Sequence, residues 1–264
     1  IHKILLLEEK LCLRSANIVI ATNESYKEID IVRGRKNPAD IFIVRNGPDL
    51  NLFREVEPDY ELKNSGKKIL VYIGVMGPQD GVDYLLRSLH ILVNELNRKD
   101  FYCIIIGPGD ILDELKELRE ELNLQDYCRF TGKIPFDDLL KYLSTADICV
   151  DPNPSNPLND YSTWIKVMEY MSLGKPIVSY NLKETRFSAQ QAALYATPNN
   201  EREFAEKIIE LMDNPQLRKE MGEYGKQRVK NELAWEIVSE NLLAAYKKLL
   251  PDKISVKAET SSAV

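Results

Sequence analysis

The stretch from Asp160 to Pro176 holds three side chains whose types and spacing can do chemistry together: Ser162, Lys166 and Glu169. Capping residues open it and Gly174, Lys175 and Pro176 close it, so the spacing predicts a helix that starts at Ser162. At ~100° per residue the three polar positions fall within about 60° of one another on a single face. The remaining positions are mostly Trp, Ile, Val, Met, Tyr and Leu. A helix so apolar elsewhere is expected deep in the fold, where an unpaired Lys or Glu is costly, so its polar stripe is expected to line a wet or ligand-filled cleft. The free N–H groups and partial positive charge of the helix N-terminus, with Lys166 one turn inward, suit a diphosphate. Glu169, another turn along, is placed to accept paired hydrogen bonds from a ribose diol. The alternative is an exposed i,i+3 Lys166–Glu169 pair, worth only a few tenths of a kcal/mol. The apolar surroundings count against it.

Two further loops carry glycines at places where a backbone can approach a phosphate. Gly74-Val75-Met76-Gly77-Pro78-Gln79-Asp80-Gly81 follows a strand-like run and opens a helix. Gly107-Pro108-Gly109-Asp110 follows the next, with Asp110 expected to cap the helix after it. Either can equally be a plain turn. Around them, short β-branched runs alternate with long amphipathic segments, the pattern of a parallel sheet with crossover helices. The expected strands are Ile69 to Ile73, Tyr102 to Ile106, Cys128 to Phe130, Ile148 to Asp151 and Ile177 to Tyr180, each nearly continuous in hydrophobicity as strands buried on both faces are. Val82, Leu85, Leu86, Leu89, Leu92, Val93 and Leu96 recur at helical spacing, as do Ile111, Leu115, Leu118 and Leu122. The fold class expected is α/β, a Rossmann-like parallel sheet with helices on both faces.

The division expected along the chain places residues 1–50 as the remnant of a preceding domain, with a helix to about Leu13, a strand Asn17 to Thr22, a helix from Asn23 and a strand Ile41 to Val44. Asn46-Gly47-Pro48 gives a turn, and residues 51–68 read as a polar linker. Residues 69–233 form the main domain, 234–250 a long amphipathic helix, and 251–264 a disordered tail.

The 264 residues are 44% hydrophobic and 29% charged, ample for a buried core. A net charge of -6 without a basic stripe argues against nucleic acid as a partner. The longest apolar runs fall far short of the ~20 residues that a membrane helix needs, and no secretory leader opens the chain, so the cytosol is the expected compartment. Cys12, Cys103, Cys128 and Cys149 stand far apart and read as reduced thiols; His2 and His90 are too distant to pair, so no metal is expected.

Ser162-Thr163 with Lys166-Val-Met-Glu169-Tyr-Met-Ser-Leu-Gly174-Lys-Pro176-Ile-Val178 resembles the donor-binding signature of the retaining glycosyltransferases of family 4, whose fold is called GT-B. Val44-Arg45-Asn46-Gly47-Pro48-Asp49 resembles the interdomain hinge of that family, Ile105 to Gly109 and Phe130-Thr131-Gly132-Lys133-Ile134 resemble two nucleotide-facing loops, and Trp235 to Leu250 resembles the closing helix that crosses back to the first domain. The order and spacing of these short motifs, over residues 15 to 250, make the match specific. The resemblance implies that the chain is mainly the C-terminal half of a GT-B fold binding a UDP- or GDP-sugar without a metal cofactor. It implies that Glu169 holds the ribose hydroxyls, the Ser162 and Thr163 amides the diphosphate, and Thr131, Lys133 and Ile134 the base. Gly74, Val75, Met76, Gly77, Gly107 and Gly109 would line the donor.

Two departures stand out. Where many members place an Arg and a Lys in the first glycine loop, this chain has Val75 and Asp80, so stabilisation of the leaving diphosphate falls to Lys166 and the helix N-terminus. Where members often place a second acidic residue, this chain has Tyr161, and only the neighbouring Asp160 is acidic, as a candidate contact to the sugar. The implied activity is transfer of a hexose, with retention, to a hydroxyl of a sugar or lipid-linked sugar in surface polysaccharide assembly, with peripheral contact at the inner face of a membrane. The first domain of the family is represented only to about residue 50, roughly 100 residues short of an ordinary domain. A nucleotide-sugar-binding subunit that needs a partner chain for transfer is therefore the second reading. A sugar-nucleotide epimerase of the same fold lacks the acid and base residues it would need.

Overall fold

The computed structural model describes residues 1–250; the tail expected at 251–264 lies outside the described residues. The described residues divide into two compact units, one made of Ile1–Asn46 with residues 235–250, the other of Gly47–Ala234.

In the first unit, α1 (His2–Ser15), β1 (Val19–Ala21), α2 (Glu24–Val32) and β2 (Ile41–Ile43) follow in order, and β1 pairs with β2 in parallel. The Asn23 side chain caps α2 by accepting from the Tyr26 amide at 2.8 Å. The helix α11 (Trp235–Leu249) belongs to this unit: Asn241 Nδ2 donates to the Ile43 carbonyl at 3.0 Å, and Lys248 Nζ donates to the Ala39 carbonyl and to Asp40. Among the described residues, no helix is long and apolar enough to cross a membrane.

The second unit begins with a correction. Residues 51–68, expected as a linker, contain α3 (Tyr60–Lys63) and are bonded into the body of the unit: the Val56 and Asp59 amides donate to the hydroxyls of Ser144 and Thr145 at 3.0 and 2.7 Å. Within the segment, Asp59 Oδ1 accepts from the Glu61 and Leu62 amides at 3.1 and 3.2 Å to cap α3, and the Ser65 hydroxyl donates to the Leu62 carbonyl at 2.6 Å. The chain then alternates strand and helix and closes on two helices: β3 (Lys68–Ile73), α4 (Val82–Asn94), β4 (Phe101–Ile106), α5 (Leu112–Glu121), β5 (Cys128–Gly132), α6 (Phe136–Thr145), β6 (Ile148–Asp151), α7 (Ile165–Ser172), β7 (Ile177–Tyr180), α8 (Lys183–Ala189), β8 (Ala193–Ala196), α9 (Glu201–Asp213) and α10 (Pro215–Arg228). The six strands form one parallel sheet in the order β5-β4-β3-β6-β7-β8. This is the doubly wound arrangement, and its strand order reverses between β3 and β6.

Strand parity divides the core in two. Leu70 and Tyr72 of β3 pack with Val82, Leu85 and Leu89 of α4 on one face, while Ile69, Val71 and Ile73 pack with Val167, Met168 and Met171 of α7 on the other. Cys103, Cys128 and Cys149 are buried free thiols and Cys12 is an exposed one. The short strand β8 carries small residues at both ends and was not among the strands expected. Asp110 does not cap α5; the helix starts one residue later, with Ile111 at its cap position.

The tips of β3 and β4 nest against each other. Gly107 has φ +135°, and a Cβ built there would lie 1.9 Å from the Gly74 carbonyl oxygen. A Gly107→Ala substitution must therefore move one loop or unfold it, and a loss of about 2–4 kcal/mol in urea unfolding is expected. A loss below about 1 kcal/mol would show that the two loops are not held in contact.

Candidate active site

The switch between β3 and β6 opens a crevice at the carboxyl ends of the strands, where open α/β sheets take their ligands. A cavity of about 550 Å³ lies there, lined by Ile73, Gly74, Val75, Asp80, Leu139, Thr163, Trp164, Ile165, Lys166 and Glu169. Its size and mostly apolar wall with a few polar groups suit a small organic ligand.

The helix that carries Lys166 and Glu169 begins later than its sequence indicates. Asn159–Tyr161 form a 3-10 turn, Ser162 is extended, and α7 starts at Ile165 with Trp164 at its cap position and no side-chain cap. The reason is local: the Ser162 amide donates to the Asn159 carbonyl at 3.1 Å and its hydroxyl to the Leu158 carbonyl at 2.8 Å, so Ser162 closes the preceding turn. Its amide is thus engaged rather than directed to a ligand, which corrects the role expected for it. Thr163, by contrast, lines the cavity.

Lys166 is 7% exposed and densely surrounded. Its Nζ donates to Asn153 Oδ1 at 2.9 Å, lies 3.5 Å from the Tyr72 hydroxyl, and faces Asp151 Oδ1 at 3.6 Å and Asp80 Oδ1 at 4.0 Å. It also sits over the rings of Tyr72 and Trp164, at 4.8 and 5.1 Å from their centroids. Asp151 ends β6 and is fully buried; its other oxygen accepts from the Ser179 hydroxyl at 2.9 Å. Burial pushes the Asp151 carboxyl above its ordinary range, and Lys166 opposes that shift. The Tyr72 hydroxyl is pushed up in the same way, by burial and then by the charges of Asp80 and Asp151. Glu169 lines the cavity one turn beyond Lys166, and burial raises its carboxyl to about 7, with Lys166 again opposing.

The cavity thus gathers Gly74, Val75, Thr163, Lys166 and Glu169 from the residues expected in the site. The others are placed elsewhere. Met76 is fully buried; its amide donates to the Pro108 carbonyl at 2.8 Å and its carbonyl accepts from Ile111, so it is a core residue. Gly77 donates its amide to Asp80 Oδ2 at 3.0 Å, Gly107 its amide to the Gly132 carbonyl at 3.0 Å, and Gly109 packs against Met76. Thr131 donates to the Gly132 carbonyl, Lys133 is exposed, and Ile134 packs against the α7 side of the core. Asp160 accepts from the Ser155 hydroxyl at 2.8 Å and is turned to that residue. Sequence reasoning missed Tyr72, Asp151, Asn153, Trp164 and Leu139. For Asp151 and Asn153 a signal exists: the first ends β6 at the switch point and the second follows it in the next loop.

Residues 53–228 match the family described as Glycosyl transferases group 1. The chain belongs to this family. Among curated glycosyl transferases, two uncharacterized members from Methanocaldococcus jannaschii are 26% identical over 231 residues and 27% identical over 238 residues, covering 86% and 87% of this chain. Against these two relatives the chain spans 57% and 61% of their length. Among solved structures, the sucrose-phosphate synthase of Thermosynechococcus elongatus superposes with a TM-score of 0.78 at 22% identity, over 93% of this chain and 61% of that one. The Anabaena protein HepE, solved with UDP and glucose, superposes with a TM-score of 0.77 at 16% identity, over 92% and 66%. These likenesses establish the GT-B type of fold.

The raised Glu169 carboxyl has a consequence for stability that requires no ligand. An acid whose folded value, about 7, exceeds its ordinary 4.5 binds its proton more tightly when folded, so stability falls as pH rises through that window. Glu169→Gln is expected to stabilise the protein at pH 8 by on the order of 3 kcal/mol and to change it little near pH 4. Urea unfolding at the two pH values checks this; an equal difference at both would refute the buried-carboxylate account.

Proposed function

We infer that the cavity is the donor site of a retaining hexosyltransferase of the family 4 type, which takes a UDP- or GDP-sugar. The observation that carries this reading is that Lys166 and Glu169, one turn apart on α7, line a common hollow at the switch point. The diphosphate would lie against the first turn of α7, whose amides have no side-chain cap, with Lys166 beside it. The Glu169 carboxylate would accept from the two ribose hydroxyls, and Leu139 and Ile165 would flank the nucleoside. The acceptor hydroxyl oxygen bonds to the anomeric carbon of the sugar as the bond from that carbon to the diphosphate breaks. The electron pair leaves on the nucleoside diphosphate and the hydroxyl proton is released. Lys166 and the α7 N-terminus stabilise that departing charge, so the reading requires no metal ion.

Relatives point to the donor chemistry. A Corynebacterium glutamicum protein 27% identical over 170 residues is named a GDP-mannose-dependent mannosyltransferase, and HepE is solved with UDP-glucose. The acceptor in this reading is a sugar or lipid-linked sugar hydroxyl in surface polysaccharide assembly, handled in the cytoplasm at the inner face of the membrane. The second reading, a donor-binding subunit completed by a partner chain, is favoured by Leu5, Leu7 and Leu11 of α1, each more than half exposed.

Thermal-shift and calorimetric titration with UDP, GDP, ADP and their sugars tests the donor site. A ligand at 100 times its Kd is expected to add about 2.7 kcal/mol of stability. Lys166→Ala and Glu169→Ala are expected to weaken that ligand at least about tenfold, the loss of one good polar contact. If no UDP or GDP species binds the wild-type chain, the reading fails.

A further inference from the structure

Charges around Lys166 do not balance. One ammonium faces two carboxylates, Asp151 and Asp80, and shares the cavity wall with a third, Glu169. Asp151, at the end of β6, is fully buried and does not line the cavity. Asp80 instead stands on the cavity wall, 6% exposed, in the loop that follows β3.

That position is built rather than incidental. Asp80 Oδ2 accepts from the Gly77 amide at 3.0 Å and from Gln79 Nε2 at 3.1 Å, which leaves Oδ1 toward Lys166. The Gln79 carbonyl in turn accepts from Asn153 at 3.3 Å and from Asn159 at 2.8 Å, both on the loop after β6. Next to Asp80, Gly81 has φ +71°, and a Cβ there would lie 2.1 Å from the Pro152 carbonyl oxygen. The two loops are locked together, and the Asp80 carboxylate cannot swing away without breaking them.

A phosphate oxygen hydrogen-bonded to Lys166 Nζ would lie within about 7 Å of Asp80 Oδ1, close enough for strong repulsion in a partly desolvated cavity. We propose that Asp80 sets the affinity of the donor cavity: its fixed negative charge competes with the nucleotide diphosphate for Lys166 and discriminates most against the released nucleoside diphosphate. The product carries one more ionisable phosphate oxygen than the sugar nucleotide, so the repulsion speeds product release more than it weakens donor binding. This inference rests on the donor-site reading above. A residue that merely closed the loop would be indifferent to the charge of the ligand.

The test is calorimetry of the wild-type chain and Asp80→Asn with three probes of one nucleoside: UDP, UDP-glucose and uridine, or the GDP, GDP-mannose and guanosine series if guanine is the base bound. Asparagine keeps an acceptor for the Gly77 amide. The expected result is that Asp80→Asn binds the nucleoside diphosphate roughly tenfold tighter, the sugar nucleotide tighter by a smaller factor, and the bare nucleoside within twofold of wild type. A diphosphate affinity that is unchanged or weaker, or a nucleoside affinity that rises equally, overturns the role of Asp80 while leaving the donor site in place. Absence of binding by every probe to the wild-type chain overturns the donor reading itself. Should Asp80→Asn fail to fold, Asp80→Ser, whose hydroxyl also accepts from the loop, gives the same readout.

Discussion

The buried ammonium of Lys166 is the constraint around which the second unit of this protein is arranged. A lone charge in that position would cost several kcal/mol, and the fold supplies Asp151 from the end of β6, Asn153 from the loop after it, Asp80 from the loop after β3, and the faces of Tyr72 and Trp164. Removing any one of these would leave a polar group in a low-dielectric site without its complement. The cluster therefore ties both sides of the switch point to α7 and fixes the shape of the cavity that α7 lines.

The parallel sheet explains why those groups meet. Every strand of the second unit delivers its carboxyl end to the same edge, and the reversal of strand order opens a gap between β3 and β6 that no crossover helix fills. The glycine loops at this edge serve mainly each other. Gly74, Gly77 and Gly107 donate their amides to Ile106, Asp80 and Gly132, and the loops nest so closely that side chains are excluded. The first turn of α7, by contrast, has no side-chain cap, and Lys166 lies within that turn.

Membership in the group 1 glycosyl transferases accounts for the second unit, since the matched residues 53–228 lie within it. Low identity coexists with close superposition on GT-B structures because a sheet core tolerates apolar exchange that keeps volume and pattern. Asp80 places a negative charge 4.0 Å from Lys166 on the cavity wall, in the loop that joins β3 to α4.

The sequence by itself determined the alternation of elements and most strand positions. Buried parallel strands such as Ile148 to Asp151 and Ile177 to Tyr180 are short apolar runs with no competing pattern, and both occur at those bounds. It also determined that Lys166 and Glu169 share a cavity, because helical periodicity fixes which residues of an apolar helix can face water. It misplaced the helix start, since Ser162 satisfies a capping rule locally yet bonds backward to Leu158 and Asn159. Only tertiary structure decided the partners of Lys166. Tyr72, Asp80, Asp151 and Asn153 are separated from it by between 13 and 94 positions, and no spacing rule links them. Their meeting is a property of strand order, which arises from the packing of the whole sheet and not from any local run of residues.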